Sequence, residues 1–263
     1  MTQISKRALV FLAIVLCTLA NSPSALADWS EDFNGSTLQN PWFFGSAAAN
    51  GSPSPTFEPN NQASNYPDAI VGNQLQMSDS NSLATVGAAN QFGVVLQNFT
   101  NLRYTGIVNP NGNTGSSDTV ALIARGNIAG GQFYGAELSF EDGRFIIFRN
   151  DDLAGNGMDL DAVTVPGLDN QDSVWVDFRL IGPVISARLF DAPGGNLLGS
   201  VSANDGNYSA GVSGVLAFFA GDVNKPLLAE YDDLNSVSFI PEPTSMALVM
   251  LGLAGGASLR RRR

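Results

Sequence analysis

Short apolar and β-branched runs recur roughly every 8–14 residues through the middle of the chain, and Gly, Pro, Asn and Asp punctuate them. This spacing predicts strands over 69–76, 92–99, 103–108, 119–125, 133–140, 144–149, 173–180, 184–190, 197–201, 212–219 and 230–239. Glu141-Asp142-Gly143, Gly182-Pro183 and Asp191-Ala192-Pro193-Gly194-Gly195-Asn196 read as the turns of three hairpins. The Pro/Ser/Asn-rich stretch 45–65 reads as a long loop over one edge. Outside the two ends, no helical period persists for more than about two turns. The expected class is all-β, a sandwich or jelly roll.

The two ends break this pattern. Lys6 and Arg7 precede an apolar run from Ala8 to Leu19, and Ala25 and Ala27 supply small residues before Asp28. That order predicts a signal helix cut by signal peptidase after Ala27. At the other end, Pro241-Glu242-Pro243 leads into the apolar segment 246–259, and Arg260, Arg261, Arg262 and Arg263 follow. An apolar helix of about 15 residues is roughly 22 Å long, short of the ~30 Å hydrocarbon core. Terminal arginines stay cytoplasmic, so the body lies outside. The predicted division is 1–27 signal peptide, 28–239 β-sandwich and 240–263 tail with a short transmembrane helix.

The Pro-Glu-Pro triplet, short apolar helix and Arg cluster, in this order, resemble the PEP-CTERM sorting signal. Ile240 stands where that signal usually has Val. The resemblance implies recognition by an exosortase, cleavage near Pro241, transient residence in the inner membrane, and a place at the cell surface or in an extracellular polysaccharide or biofilm matrix.

Composition narrows the chemistry. The chain has no histidine, and its one cysteine, Cys17, lies in the predicted signal peptide. Ser-His-Asp and Cys-His catalysis and most zinc and copper sites are therefore ruled out for the body. Between residues 28 and 240 the only basic residues are Arg103, Arg125, Arg144, Arg149, Arg179, Arg188 and Lys225. The same span holds all of the chain's 24 acidic residues except Glu242, so no nucleic-acid partner is expected.

The order of pieces resembles the concanavalin A-like, laminin-G-like jelly rolls. Trp29-Ser30-Glu31-Asp32-Phe33 stands as the first strand, Ala136-Glu137-Leu138-Ser139-Phe140 and Trp175-Val176-Asp177-Phe178-Arg179-Leu180 as middle strands, and 229–239 as the last. In such folds the first and last strands are antiparallel neighbours. Glu31 and Asp32 would then meet Asp232 and Asp233, a candidate site for structural calcium. The alternative is solvent-facing acids on separate edges. Asp151, Asp152, Asp159 and Asp161 crowd what reads as one loop, without the EF-hand pattern.

Aromatic rings that stack on sugars are the other candidate chemistry. Trp42, Phe44, Tyr66 and Tyr134 are the chosen ligand-binding positions, from a group that includes Phe43, Phe57 and Phe133. Trp175 and the Phe145/Phe148 and Phe218/Phe219 pairs are assigned to the core. Glu137 and Glu141 share a face if their strand is regular, but they would lie roughly 13 Å apart, too far for an acid–nucleophile pair. The Glu-x-Asp-x-x-Glu motif of the laminarinase-type glycosidases of this fold is absent. The chain is read as a non-enzymatic surface or matrix protein associated with polysaccharide, with a carbohydrate-binding module or a divergent glycoside hydrolase or lyase as alternatives.

Overall fold

The computed structural model describes residues 28–34, 38–48, 58–60, 70–78, 88–109, 119–152, 156–218 and 228–238. Both predicted terminal helices, and with them Ala25, Ala27, Pro241, Glu242, Pro243 and Arg260–Arg263, lie outside these residues, as does Tyr66.

The described residues form two antiparallel sheets. In one, the order is β14 (Leu197–Asn204), β13 (Val184–Phe190), β12 (Val174–Ile181), β7 (Leu102–Asn109), β16 (Leu228–Ser238), β5 (Gln74–Ser78) and β4 (Ile70–Val71). β1 (Trp29–Glu31) shares the edge of β16 that β5 occupies further along. We call this sheet A. Sheet B runs β11 (Gly157–Thr164), β10 (Arg144–Asn150), β9 (Gln132–Ser139), β8 (Thr119–Asn127), β15 (Gly211–Phe218), β6 (Ala88–Phe99), β2 (Trp42–Ala48) and β3 (Glu58–Asn60).

Alternation along the strands explains the sandwich. β7 alternates without a break: Leu102, Tyr104 and Val108 are buried, and Arg103, Thr105 and Ile107 face out. β9 turns Tyr134, Ala136 and Leu138 into the core between the sheets. The inward residues of both sheets form one continuous cluster that includes Trp29, Trp42, Phe44, Tyr104, Tyr134, Phe145, Phe178 and Tyr231. At roughly 25 cal/mol per Å² of apolar surface buried, this cluster dominates the stability.

The three predicted hairpin turns stand between β9 and β10, β12 and β13, and β13 and β14. Three strand assignments need correction. Stretch 45–65 is not only loop: β2 continues to Ala48 and β3 pairs with it. The Asp-rich segment is partly strand, because Asp159 and Asp161 lie on β11 against β10. Charged outward residues on this edge strand hid the alternation. Finally, β9 ends at Ser139, so Glu141 lies in the turn and does not share a strand face with Glu137.

Candidate ligand-binding face

Three of the four aromatic residues chosen as sugar platforms are interior. Trp42 and Tyr134 have no exposed surface and Phe44 is 3% exposed. Trp42 stacks on Phe44 at 5.7 Å and meets Trp29 edge-on at 5.5 Å. Each of the three occupies the inward phase of its strand, and the one-residue shift to Phe43 or Phe133 reaches the opposite face.

That opposite, outward face of sheet B carries a second hydrophobic cluster. Phe92, Val94, Ala121 and Ile123 are buried in its floor, and half-buried Phe43, Phe133, Phe148, Val212 and Leu216 pack over them. Leu96 and Phe218 stand on the same face with 52% and 40% of their surface exposed. The register makes one outward row of Phe43, Val94, Gly214, Ile123, Gly135 and Phe148. The next row runs Phe92, Leu216, Ala121, Glu137 and Ile146.

Gly135 gives this face its shape. A Cβ there would overlap the Phe148 ring, which lies across the glycine. Phe148 then meets Phe133 edge-to-face, with centroids 5.8 Å apart and planes at 85°. The assignment of Phe148 to the core is corrected by this placement, while Phe145 is fully buried as expected. Trp175 is also not core: it faces out from sheet A. At the end of the sheet B face near the β8–β9 turn, a groove of about 490 Å³ is lined by Phe43, Leu96 and Val212, with the amides of Asn98 and Asn127 at its rim. An apolar floor with a few convergent polar groups is the usual make-up of a small-molecule site.

Glu137 is the one acid among the outward positions of β8, β9 and β10. Burial pushes its carboxyl up to about 7, and the Asp159 charge adds to this. Arg144 and a Thr119 hydrogen bond pull the other way. Asp159 is itself held by Arg144 at 3.1 Å.

The acids at the chain ends separate into two environments. β1 pairs with β16 as expected, Glu31 opposite Leu234. Glu31 points inward, 1% exposed, and its Oε2 accepts from Gln39 N at 2.8 Å, Asn40 N at 3.3 Å and Trp42 Nε1 at 3.2 Å. Asp32 faces solvent and accepts from Asn34 N and Gln39 Nε2. Burial, the Asp233 charge and the Asp32 charge raise the Asp232 carboxyl. Among the described residues, no group of three or more acids is placed to hold a metal.

Residues 239–263 match the PEP-CTERM protein-sorting motif. No curated protein matches the chain in sequence. In fold it is similar to a prokaryotic β-1,3-1,4-glucanase (lichenase) from a mouse hindgut metagenome, with a TM-score of 0.57 and 13% identity over 81% of this chain and 100% of the other. It is also similar to the CBM2 module of the evolved Dit of Lactobacillus casei BL23 phage J-1, with a TM-score of 0.52 and 12% identity over 82% and 98% of the two chains. Lectin I-B4 of Griffonia simplicifolia gives a TM-score of 0.51 and 9% identity over 81% and 100%. At these identities the likenesses establish architecture and leave activity open. The sorting motif, for its part, marks export through the inner membrane and a surface or extracellular location after exosortase processing. The chain is an exported protein that carries a PEP-CTERM sorting motif behind a concanavalin A-like jelly-roll β-sandwich.

Proposed function

We propose that this protein is a non-enzymatic surface or matrix protein that binds polysaccharide through the outward face of sheet B. The carrying observation is the Phe133–Phe148 pair over Gly135, beside the groove lined by Phe43, Leu96 and Val212. Two rings fixed edge-to-face on a rigid sheet give the apolar platform that a pyranose face needs, and Asn98 and Asn127 offer hydrogen bonds at the rim. The fold is shared with a glucanase, a carbohydrate-binding module and a lectin, which supports a glycan as the occupant.

A hydrolase reading draws on Glu137, whose ionisation near neutrality suits a general acid. The second carboxylate that glycoside hydrolysis requires would have to be Asp159 of β11, paired opposite Phe148, and that acid is held in an ion pair by Arg144 at 3.1 Å.

The test is binding of the full chain to a panel of neutral glycans. We expect weak binding that falls about tenfold or more in Phe133→Ala and Phe148→Ala. Absence of binding at millimolar sugar, or binding unchanged in both variants, overturns the assignment. Release of reducing sugar from exopolysaccharide that disappears in Glu137→Gln replaces it with the hydrolase.

A further inference from the structure

The face of sheet A turned away from the core holds the opposite kind of surface. Arg103 on β7, Arg179 on β12 and Arg188 on β13 converge on Asp177, which is 1% exposed. Asp177 Oδ1 accepts from Arg103 Nε and Arg179 Nε, both at 2.9 Å. Its Oδ2 accepts from Nη2 of Arg103 at 3.3 Å, of Arg179 at 2.5 Å and of Arg188 at 2.9 Å. A carboxylate offers about four lone-pair sites, so these contacts saturate it. The three guanidiniums keep 39%, 30% and 43% of their side-chain surface exposed. No Nη1 of the three has a protein acceptor among the described residues. One negative charge thus sits beneath three positive ones.

This excess is local to an acidic protein of net charge −11. The other described basic residues of the body are spent elsewhere. Arg144 pairs with Asp159, and Arg149 with Asp151 and Asp205. Arg125 is 2% exposed and gives its donors to the carbonyls of Thr100, Gly182 and Tyr208.

Aromatic surface adjoins the charge. Trp175 and Phe190 are paired across β12 and β13 with centroids 5.3 Å apart. Arg103 lies 5.8 Å from the Trp175 ring and Arg188 5.8 Å from Phe190. Thr105, Ser186 and Ser200 stand at the adjoining outward register positions. Two acids border the patch: Asp232 on β16 stands opposite Ile107, which in turn faces Trp175, and Asp28 accepts from Ser238 N, next to Val237, which is paired with Arg103.

We infer that this face is a second glycan site, specific for an anionic polysaccharide that carries carboxylate or sulfate groups. Free Nη1 donors on adjacent strands suit planar, bidentate recognition of an oxyanion. The Trp175–Phe190 pair, beside the guanidiniums, supplies apolar surface for the sugar ring that carries it. From Arg179 to Trp175 is four residues of extended strand, roughly 13 Å, so consecutive sugars can lie along it. Buried Asp177 is a positioning residue that holds the three side chains in one plane of the sheet. The inference stands apart from the sheet B site, which takes neutral rings.

Retention of the full chain on polygalacturonate, dextran sulfate, neutral dextran and duplex DNA tests this. Either polyanionic glycan should bind and neutral dextran should not, with binding lost near about 1 M salt, where the screening length is about 3 Å. Arg188 supplies a single contact to Asp177, so Arg188→Gln should keep its melting temperature and lose affinity by roughly tenfold or more. Should that variant fail to fold, Trp175→Ala takes its place with the same expected loss. Arg144→Gln makes the same charge change outside the patch and should bind as the parent does. Equal losses in Arg144→Gln and Arg188→Gln, equal retention on dextran, or tighter binding to duplex DNA than to the glycans would overturn the inference. Phe133→Ala should leave polygalacturonate binding untouched, which separates a failure here from a failure of the neutral-glycan site.

Discussion

The indole nitrogen of Trp42 donates to Glu31 at 3.2 Å, and this bond ties β1 of sheet A to β2 of sheet B. Glu31 also takes the backbone N–H groups of Gln39 and Asn40, so one buried carboxylate anchors the connection between the sheets. Burial raises its pKa and these donors pull it back. Glu31→Ala strands all of these donors, with an expected loss of about 3 kcal/mol. Glu31→Gln keeps an acceptor oxygen and should lose less. Urea titrations in which Glu31→Ala matches the parent would show that the anchor is not needed.

Gly135 and Phe148 make a second such relationship, because the ring occupies the space a Cβ would take. Gly135→Ala should cost about 1–3 kcal/mol by overpacking and should lower neutral-glycan affinity by displacing the ring. In the Gly135→Ala/Phe148→Ala double variant the clash is gone, so the stability losses should be less than additive. Strict additivity in thermal unfolding would mean that the two residues do not contact.

The fold was legible because strands such as β7 and β13 alternate cleanly and the turns on either side of β13 carry Gly, Pro and Asp. The candidate site was not, for a reason specific to two-sided sheets. Sheet B is apolar on both faces, so Phe133 and Tyr134, or Phe43 and Phe44, look alike in sequence, and only phase tells core from platform. The glycine two residues beyond Phe133 was a usable signal, since a strand glycine marks a place where another group comes close. β11 was missed because Asp159 and Asp161 gave it the composition of a turn. The Asp177 cluster draws arginines from three strands, and a register is needed to bring Arg103 beside Arg179.

Glu31 turned inward leaves Asp32, Asp232 and Asp233 of the four candidate ligands, and among the described residues no three acids are grouped to hold a metal. Calcium and EDTA should leave the melting temperature unmoved. Relief of like-charge repulsion in Asp232→Asn should stabilise the protein at pH 7 by about 0.5 kcal/mol. A calcium-dependent rise in melting temperature that vanishes in Asp232→Asn would instead establish a cation site.

Exosortase processing near Pro241 predicts the mass of the mature protein. The form recovered from the surface or medium should end close to Pro241 and lack Arg260–Arg263. Mass spectrometry that finds the terminal arginines on the surface form would make the tail a permanent anchor. Replacing Pro241-Glu242-Pro243 with Ala should leave unprocessed chain in the inner membrane.

Glu137 predicts a pH dependence of opposite sign to that of the ordinary paired carboxylates. Its carboxyl is raised from 4.5 to about 7, so its contribution is fully present below pH 4.5 and is lost as pH rises toward 7. The loss is at most about 3 kcal/mol, the free energy of the shift at 1.36 kcal/mol per unit, less what solvent screening removes from a half-buried group. Asp151, hydrogen-bonded by Arg149 and held below the usual carboxylate range, works the other way and gains as pH rises. The difference between parent and Glu137→Gln isolates the term: relative to the variant, the parent should weaken between pH 4.5 and 7 and run parallel above that. A constant difference across this window would place Glu137 in open solvent. The reverse slope would mean that Arg144 holds it as a charged pair.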